Sequence, residues 1–179
     1  NCKMTSVKFK LVIEVDNAEV FNEELGSECV SGVAGRLQDI ADNKELFGFL
    51  AKCASSEVRS DIAYKDNLHE DTVALLAQDA SMDVRRRLCG QTPFREWAST
   101  ELLLEYISSD MDCAKSIAGG VGEYNNADVN KIAVELCKHS DPDVRNALAG
   151  SWGAPKKFVK QLLSDSDSSV RASAKRTLD

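Results

Sequence analysis

The chain has 179 residues, 43% of them hydrophobic, which is enough apolar material for a continuous core in one folded unit. Its formal charge of −7 argues against generic nucleic-acid affinity, which comes mostly from Lys and Arg neutralising phosphates. Apolar runs are short, as in Leu102-Leu103-Leu104; none approaches the ~20 residues that cross a bilayer, so a soluble, cytoplasmic protein with no membrane partner is expected.

Charge is uneven along the chain. Residues 1–50 carry 5 basic and 9 acidic side chains, residues 51–136 carry 9 and 15, and residues 137–179 carry 8 and 5, so only the C-terminal part is net positive. The opening NCKMTS leads into an alternating segment rather than a continuous apolar stretch, and no secretory signal is expected before residue 10. Asn1 is not an initiator: either Met4 is the native start, with Asn1–Lys3 foreign to it, or the N-terminus is processed.

The first predicted element is a strand over residues 7–15, with Val7, Phe9, Leu11, Ile13 and Val15 on one face and Lys8, Lys10 and Glu14 on the other. Glu19-Val20-Phe21 is at most a short partner for it. An unpaired edge is therefore expected, and such an edge is a template for a homodimer through Val7–Val15 or for a target protein. From Cys29 to Asp42, Val30, Val33, Ala34, Leu37, Ile40 and Ala41 recur at helical spacing, with Ser27 or Ser31 near the start as a cap. This helix is predicted to lie across the apolar face of the strand. Residues 1–44 thus read as a strand-helix segment and residues 45–179 as a helical repeat domain. The order KFKLVIEVDNAEVFNEE…VAGRLQDIAD resembles the opening of small bacteriophage proteins; the resemblance implies a phage or prophage origin and names no activity.

Self-similarity dominates the rest. An acid-Val-Arg element occurs at Glu57-Val58-Arg59, Asp83-Val84-Arg85 and Asp143-Val144-Arg145, with Ser169-Val170-Arg171 as a final variant and Asp112-Cys113-Ala114 as a degenerate copy. Apolar residues return four and five positions after each anchor: Ile62/Ala63, Leu88/Cys89, Ile117/Ala118 and Leu148/Ala149. A second helix follows in each unit, marked by Val73/Leu76/Ala77, Leu103/Tyr106/Ile107, Ala133/Leu136/Cys137 and Val159/Leu162/Leu163. Two short helices cannot bury their faces alone, so neighbouring units must stack into a shared interior. In the last unit Val170 is followed by Ala174 and then Lys175, a polar outer face suited to a terminal cap.

The stretch from Asp143 through Pro155, Leu162 and Asp165 to Val170-Arg171 resembles a leucine-rich repeat variant unit, itself similar to HEAT repeats. The resemblance spans roughly residues 49–179 and implies a mainly α fold, a right-handed α-solenoid of about five two-helix repeats. Ser151-Trp152 stands where that family has Asn-Pro, and the middle unit lacks the Arg and carries extra residues in GGVGEYNNAD. Some members carry an iron-sulfur cluster on clustered N-terminal cysteines; this chain has no such cluster of cysteines, and no cofactor is expected.

Candidate binding residues fall in two groups. The recurrent Arg59, Arg85, Arg145 and Arg171 occupy one repeat position and read first as a structural ladder bonded to acids or helix carbonyls of the adjacent unit, with ligand binding second. Arg86, Arg87 and Arg95 could extend Arg85 into a basic patch, and Lys156, Lys157, Lys160, Lys175 and Arg176 form another, although a charge run is more often a solvated face. Trp97 and Trp152 are placed in inter-helix connections, where they either anchor a partner or fold back over a neighbouring helix.

The six cysteines, at 2, 29, 53, 89, 113 and 137, are 24 or more residues apart and include no CxxC pair, so reduced thiols are expected, with Cys53, Cys89, Cys113 and Cys137 as packing residues. His69 and His139 have no ligand set around them and read as surface residues. Gly119-Gly120-Val121-Gly122 lacks the strand and Lys-Ser/Thr of a phosphate cradle and reads as the loop that absorbs the middle unit's excess. No catalytic set assembles, so a non-enzymatic protein-binding role is the leading expectation. One form of it is a phage accessory factor that occupies a host defence or nuclease complex, as anti-CRISPR-type inhibitors do. A HEAT-like DNA-binding protein, similar to the alkylpurine glycosylases, and a purely structural or assembly role are the alternatives.

Overall fold

A computed structural model describes residues 8–179, apart from the side chains of Ser27 and Glu28. Val7 of the predicted strand, the candidate start at Met4, Cys2 and the candidate capping hydroxyl of Ser27 lie outside what it describes. The chain divides into two compact units, residues 1–88 and 89–179, and the expected segment boundary at residue 44 falls inside the first.

The first unit opens with an antiparallel hairpin, β1 (Lys10–Val15) and β2 (Ala18–Glu24). Asp16 and Asn17 form its turn with φ of 52° and 64°, the left-handed pair that a two-residue hairpin turn requires and that Asp and Asn tolerate. The predicted strand therefore has a partner after all, in the segment that reads as only a short candidate. Glu19, Glu23 and Glu24 mask it, since charged residues score poorly as strand formers. The expected helix across the strand's apolar face is also corrected: Leu11, Ile13, Val15 and Phe21 are all exposed.

Helix α1 (Ser27–Arg36) is shorter than the predicted span to Asp42 and packs on α3 (Ser56–Ala63). Its N-cap position is Gly26, and Ser31 instead donates from its hydroxyl to Asp61. What ends α1 is a clasp. The buried Lys65 ammonium donates to the carbonyls of Gly35 and Leu37, and the Asp39 carboxylate accepts from the main-chain N–H of Asp66 and Asn67. These bonds hold residues 37–39 out of the helical ladder. Helices α2 (Lys44–Leu50), α4 (Glu70–Ala77) and α5 (Met82–Cys89) complete the unit, with Phe47, Leu50, Val58, Ile62, Val73, Leu76, Val84 and Leu88 in its interior.

The second unit contains α6 (Thr92–Trp97), α7 (Thr100–Ser109), α8 (Met111–Gly119), α9 (Val129–Cys137), α10 (Pro142–Ala149), α11 (Lys156–Leu162) and α12 (Ser168–Leu178). Here α10 packs on α8 and α12, while α9 packs on α7 and α11. Each helix thus meets the equivalent helices of neighbouring repeats, as expected of stacked pairs. Side chains of Ser99, Asp110, Asp128, Asp141 and Asp167 cap the starts of α7, α8, α9, α10 and α12. Cys113 takes the anchor position of the degenerate copy, and Ile117, Ala118, Leu136, Val144, Leu148, Val159, Val170 and Ala174 are buried as predicted. Leu163 and Cys137 are exceptions: Leu163 is the C-cap of α11 and is exposed, and Cys137 is only half-buried.

Helix α6 is an addition to the two-helix pattern. Trp97 ends it rather than lying in an irregular connection, and Phe94 within it stacks on Tyr106 and meets Tyr124 edge-on. The extra residues of the middle unit form a 3₁₀ turn, Val121–Glu123, that buries Val121 and Tyr124. Among the described residues no helix is long and apolar enough to cross a membrane.

Candidate functional site

The ladder arginines show what the repeat position is built for. Arg59 donates from Nε and Nη2 to the two carboxylate oxygens of Asp79 at 2.6 and 3.0 Å, and from Nη1 to the carbonyls of Cys53 and Ala54. Arg145 repeats the arrangement on Asp165 at 2.8 and 3.0 Å and on the carbonyls of His139 and Ser140. In both cases the acid lies 20 residues after the arginine. Asp79 and Asp165 each accept one further main-chain N–H, from Ser81 and Asp167, so every clamp ties the end of one repeat to the start of the next. Burial pushes Asp79 up, but bonds from Arg59 and Ser81 outweigh it and hold the carboxyl below its ordinary value. The Arg145 hydrogen bonds do the same to Asp165. Arg171 makes only the carbonyl half of the motif, to Asp165 and Ser166.

The remaining basic candidates are dispersed by helical geometry. In α5, Arg85 is partly buried with its Nε unbonded, whereas Arg86 and Arg87 are exposed. Arg86 pairs with Asp83 at 3.7 Å, and the Arg87 guanidinium lies 5.5 Å over the ring of Tyr64. These two line a polar groove of about 560 Å³ formed by the first helix of each repeat in this unit. Ser31 comes from α1, Glu57, Ser60 and Asp61 from α3, and Asp83 from α5, so carboxylates offset the arginines and the surface is mixed rather than basic. A second hollow of about 520 Å³ lies over α2 and α4, where His69 meets Glu45 at 3.3 Å beside the exposed Phe49.

In the second unit, Arg95 is engaged by Glu123 and lies against Gly120. Trp97 folds back against Phe94, ring centroids 6.5 Å apart. Trp152 is different: it is 89% exposed, the most exposed large apolar side chain among the described residues. It stands on the turn between α10 and α11, between buried Ser151 and Ala154, and the exposed Lys156 and Lys157 follow in the first turn of α11. The Lys157 ammonium lies 4.8 Å over the Phe158 ring. The turn is fixed by a close backbone approach, since a Cβ on Gly122 would sit 2.5 Å from the Cα of Gly153. Trp152 is thus an exposed indole on a turn held by a close backbone approach, with the exposed Lys156 and Lys157 four and five residues further along the chain.

Cys53, Cys89 and Cys113 are buried, Cys137 is half-buried and Cys29 is exposed; all five are free thiols. Burial pushes the Cys137 thiol up to about 11. His139 accepts the Asp141 N–H at Nδ1. Among the described residues no group of three or more His, Cys, Asp or Glu side chains could hold a metal ion.

No family model and no curated protein matches the chain. Among solved structures it is similar to a leucine-rich repeat variant with a novel repetitive structural motif, at 16% identity and a TM-score of 0.39. The match covers 80% of this chain and 64% of that one, so the chain spans less than two thirds of that protein's length. The repeat assignment rests on the stacked helix pairs and their Arg–Asp clamps.

Proposed function

We propose that the protein is a non-enzymatic binding module of the right-handed α-solenoid kind, docking on another protein through the surface around Trp152. The supporting observation is the 89% exposure of that indole on a turn held by the Gly122–Gly153 contact. A rigid exposed tryptophan is the side chain that most often concentrates binding energy at an interface, because it buries a large area at little entropic cost. The exposed Lys156 and Lys157 that follow it in the first turn of α11 favour a partner that surrounds an indole-sized pocket with carboxylates. If the phage-like opening reflects origin, the partner is a protein of a host nuclease or defence complex, in the manner of anti-CRISPR-type inhibitors.

Duplex DNA has less to draw on as the alternative. Arg145 is spent on Asp165 and two carbonyls, Arg95 is engaged by Glu123, and Arg86 and Arg87 share their groove with three carboxylates. Trp152→Ala is the discriminating variant. Its expected result is loss, by about tenfold or more, of a protein captured stoichiometrically by the wild-type chain, with an unchanged melting temperature. Capture that does not depend on Trp152, or a salt-sensitive shift of duplex DNA by the wild type at near-physiological ionic strength, would overturn the assignment.

A further inference from the structure

The hairpin has two features that a finished sheet does not. Among the described residues it is a two-stranded sheet, and Leu11, Val12, Ile13, Val15, Val20 and Phe21 are all more than 40% exposed. A two-stranded ribbon is marginal in water, and three or more strands with an apolar face are needed for independent stability. Something is expected to add strands, and the two outer edges are not equivalent as places to add them.

The β2 edge is blunted. Ile13 pairs with Phe21 and Glu14 with Glu19, so Val20 is a bulged residue, and the strand carries Glu19, Glu23 and Glu24 and no basic residue of its own, although Lys8 pairs with Glu24. The β1 edge is regular. The Phe9 carbonyl accepts from Leu25 N–H, which by alternation turns the main-chain groups of Phe9, Leu11 and Ile13 toward β2 and those of Lys10, Val12 and Glu14 outward.

That outward set is self-complementary. If β1 meets a second β1 in antiparallel fashion about a two-fold axis at Val12, Lys10 falls opposite Glu14 of the other copy and Glu14 opposite its Lys10. Leu11 falls opposite Ile13 and Phe9 opposite Val15 on the apolar face, so both faces match at once. The same operation on β2 has no basic residue to set against Glu19, Glu23 or Glu24, and about Phe21 it brings Glu19 against Glu23. We propose that the protein forms a two-fold dimer by pairing of β1 with β1 of a second copy, making a continuous four-stranded sheet centred on Val12. This assignment uses the hairpin alone and stands whether or not Trp152 anchors a partner.

Sedimentation of the full chain over a range of concentrations tests it. The wild type is expected to be a concentration-dependent dimer, and K10E and E14K each to dissociate about tenfold more readily, because each sets like charges opposite one another twice. Reversing Lys10 also opposes it to Glu24 within the hairpin, so the discriminating sample is the mixture: K10E with E14K restores both cross-pairs and is expected to form a heterodimer of wild-type strength. The doubly reversed K10E/E14K chain is expected to dimerise alone. A wild type that stays monomeric at high-micromolar concentration, or a dimer that neither reversal weakens, would overturn the proposal.

Discussion

Arg145→Ala should destabilise the second unit by about 3 kcal/mol, far more than an exposed arginine would cost. The side chains of Arg145 and Asp165 are only 12% and 7% exposed, and removing the guanidinium leaves a poorly hydrated carboxylate with one N–H donor and takes the guanidinium donor from the part-buried carbonyl of His139. Arg145→Lys should recover only part of the loss, since an ammonium cannot bridge both carboxylate oxygens and two carbonyls with the planar fork of arginine. The internal comparison is Arg171→Ala: Arg171 is exposed and donates only to carbonyls, and its loss should cost about 1 kcal/mol.

The same pair fixes the response to acid. Asp165 has a folded-state pKa lowered from 3.8 by the Arg145 hydrogen bonds, so it contributes stability that is complete above its unfolded value and is lost as pH falls through the depressed folded value. Asp79, beside Arg59, behaves alike. Denaturant unfolding as a function of pH should show the wild type losing stability below about pH 4, and Asp165→Asn should start lower and fall less steeply.

Gly122→Ala is the second large effect. The added methyl would fall 2.5 Å from Gly153 Cα and 2.6 Å from Gly153 O, both backbone atoms, so the turn that carries Trp152 must move. We expect a loss of about 2–4 kcal/mol in denaturant unfolding, toward the upper end for overpacking because no side chain can rotate away. Gly119→Ala, three residues earlier, is the control: nothing lies within 4 Å of the position, Gly119 is helical, and the change should be neutral or stabilising by up to about 1 kcal/mol.

The interior was readable because its spacing is dictated by helix geometry: Val58, Ile62 and Ala63, or Val144, Leu148 and Ala149, can share one face only on a helix, and all are buried. The ladder position was readable for the same reason: Arg59 and Arg145 repeat the full clamp, whereas Arg171 keeps only its carbonyl half and the Arg85 Nε is unbonded. What escaped were features set by tertiary partners. The end of α1 is decided by Lys65, almost 30 residues away, while the apolar spacing continues unbroken to Ala41. Helix α6 is too short to show a period, although Pro93 in its first turn was a signal available for it. Strand β2 was hidden by its glutamates. Of the candidate site, the exposure of Trp152 and the inward fold of Trp97 rest on which loop approaches which, and the paired glycines 122 and 153 carry that information only once they are seen in contact.

Thiol accessibility in the native protein, read cysteine by cysteine after brief alkylation and peptide mapping, tests most directly whether the helix pairs of each unit share an interior. Cys29 should react at the rate of a free thiol and Cys137 more slowly. Cys53, Cys89 and Cys113, at or beside repeat core positions, should react only when denaturant opens the fold. Reaction of Cys89 and Cys113 as fast as Cys29 under native conditions would contradict the stacked-repeat fold and everything built on it.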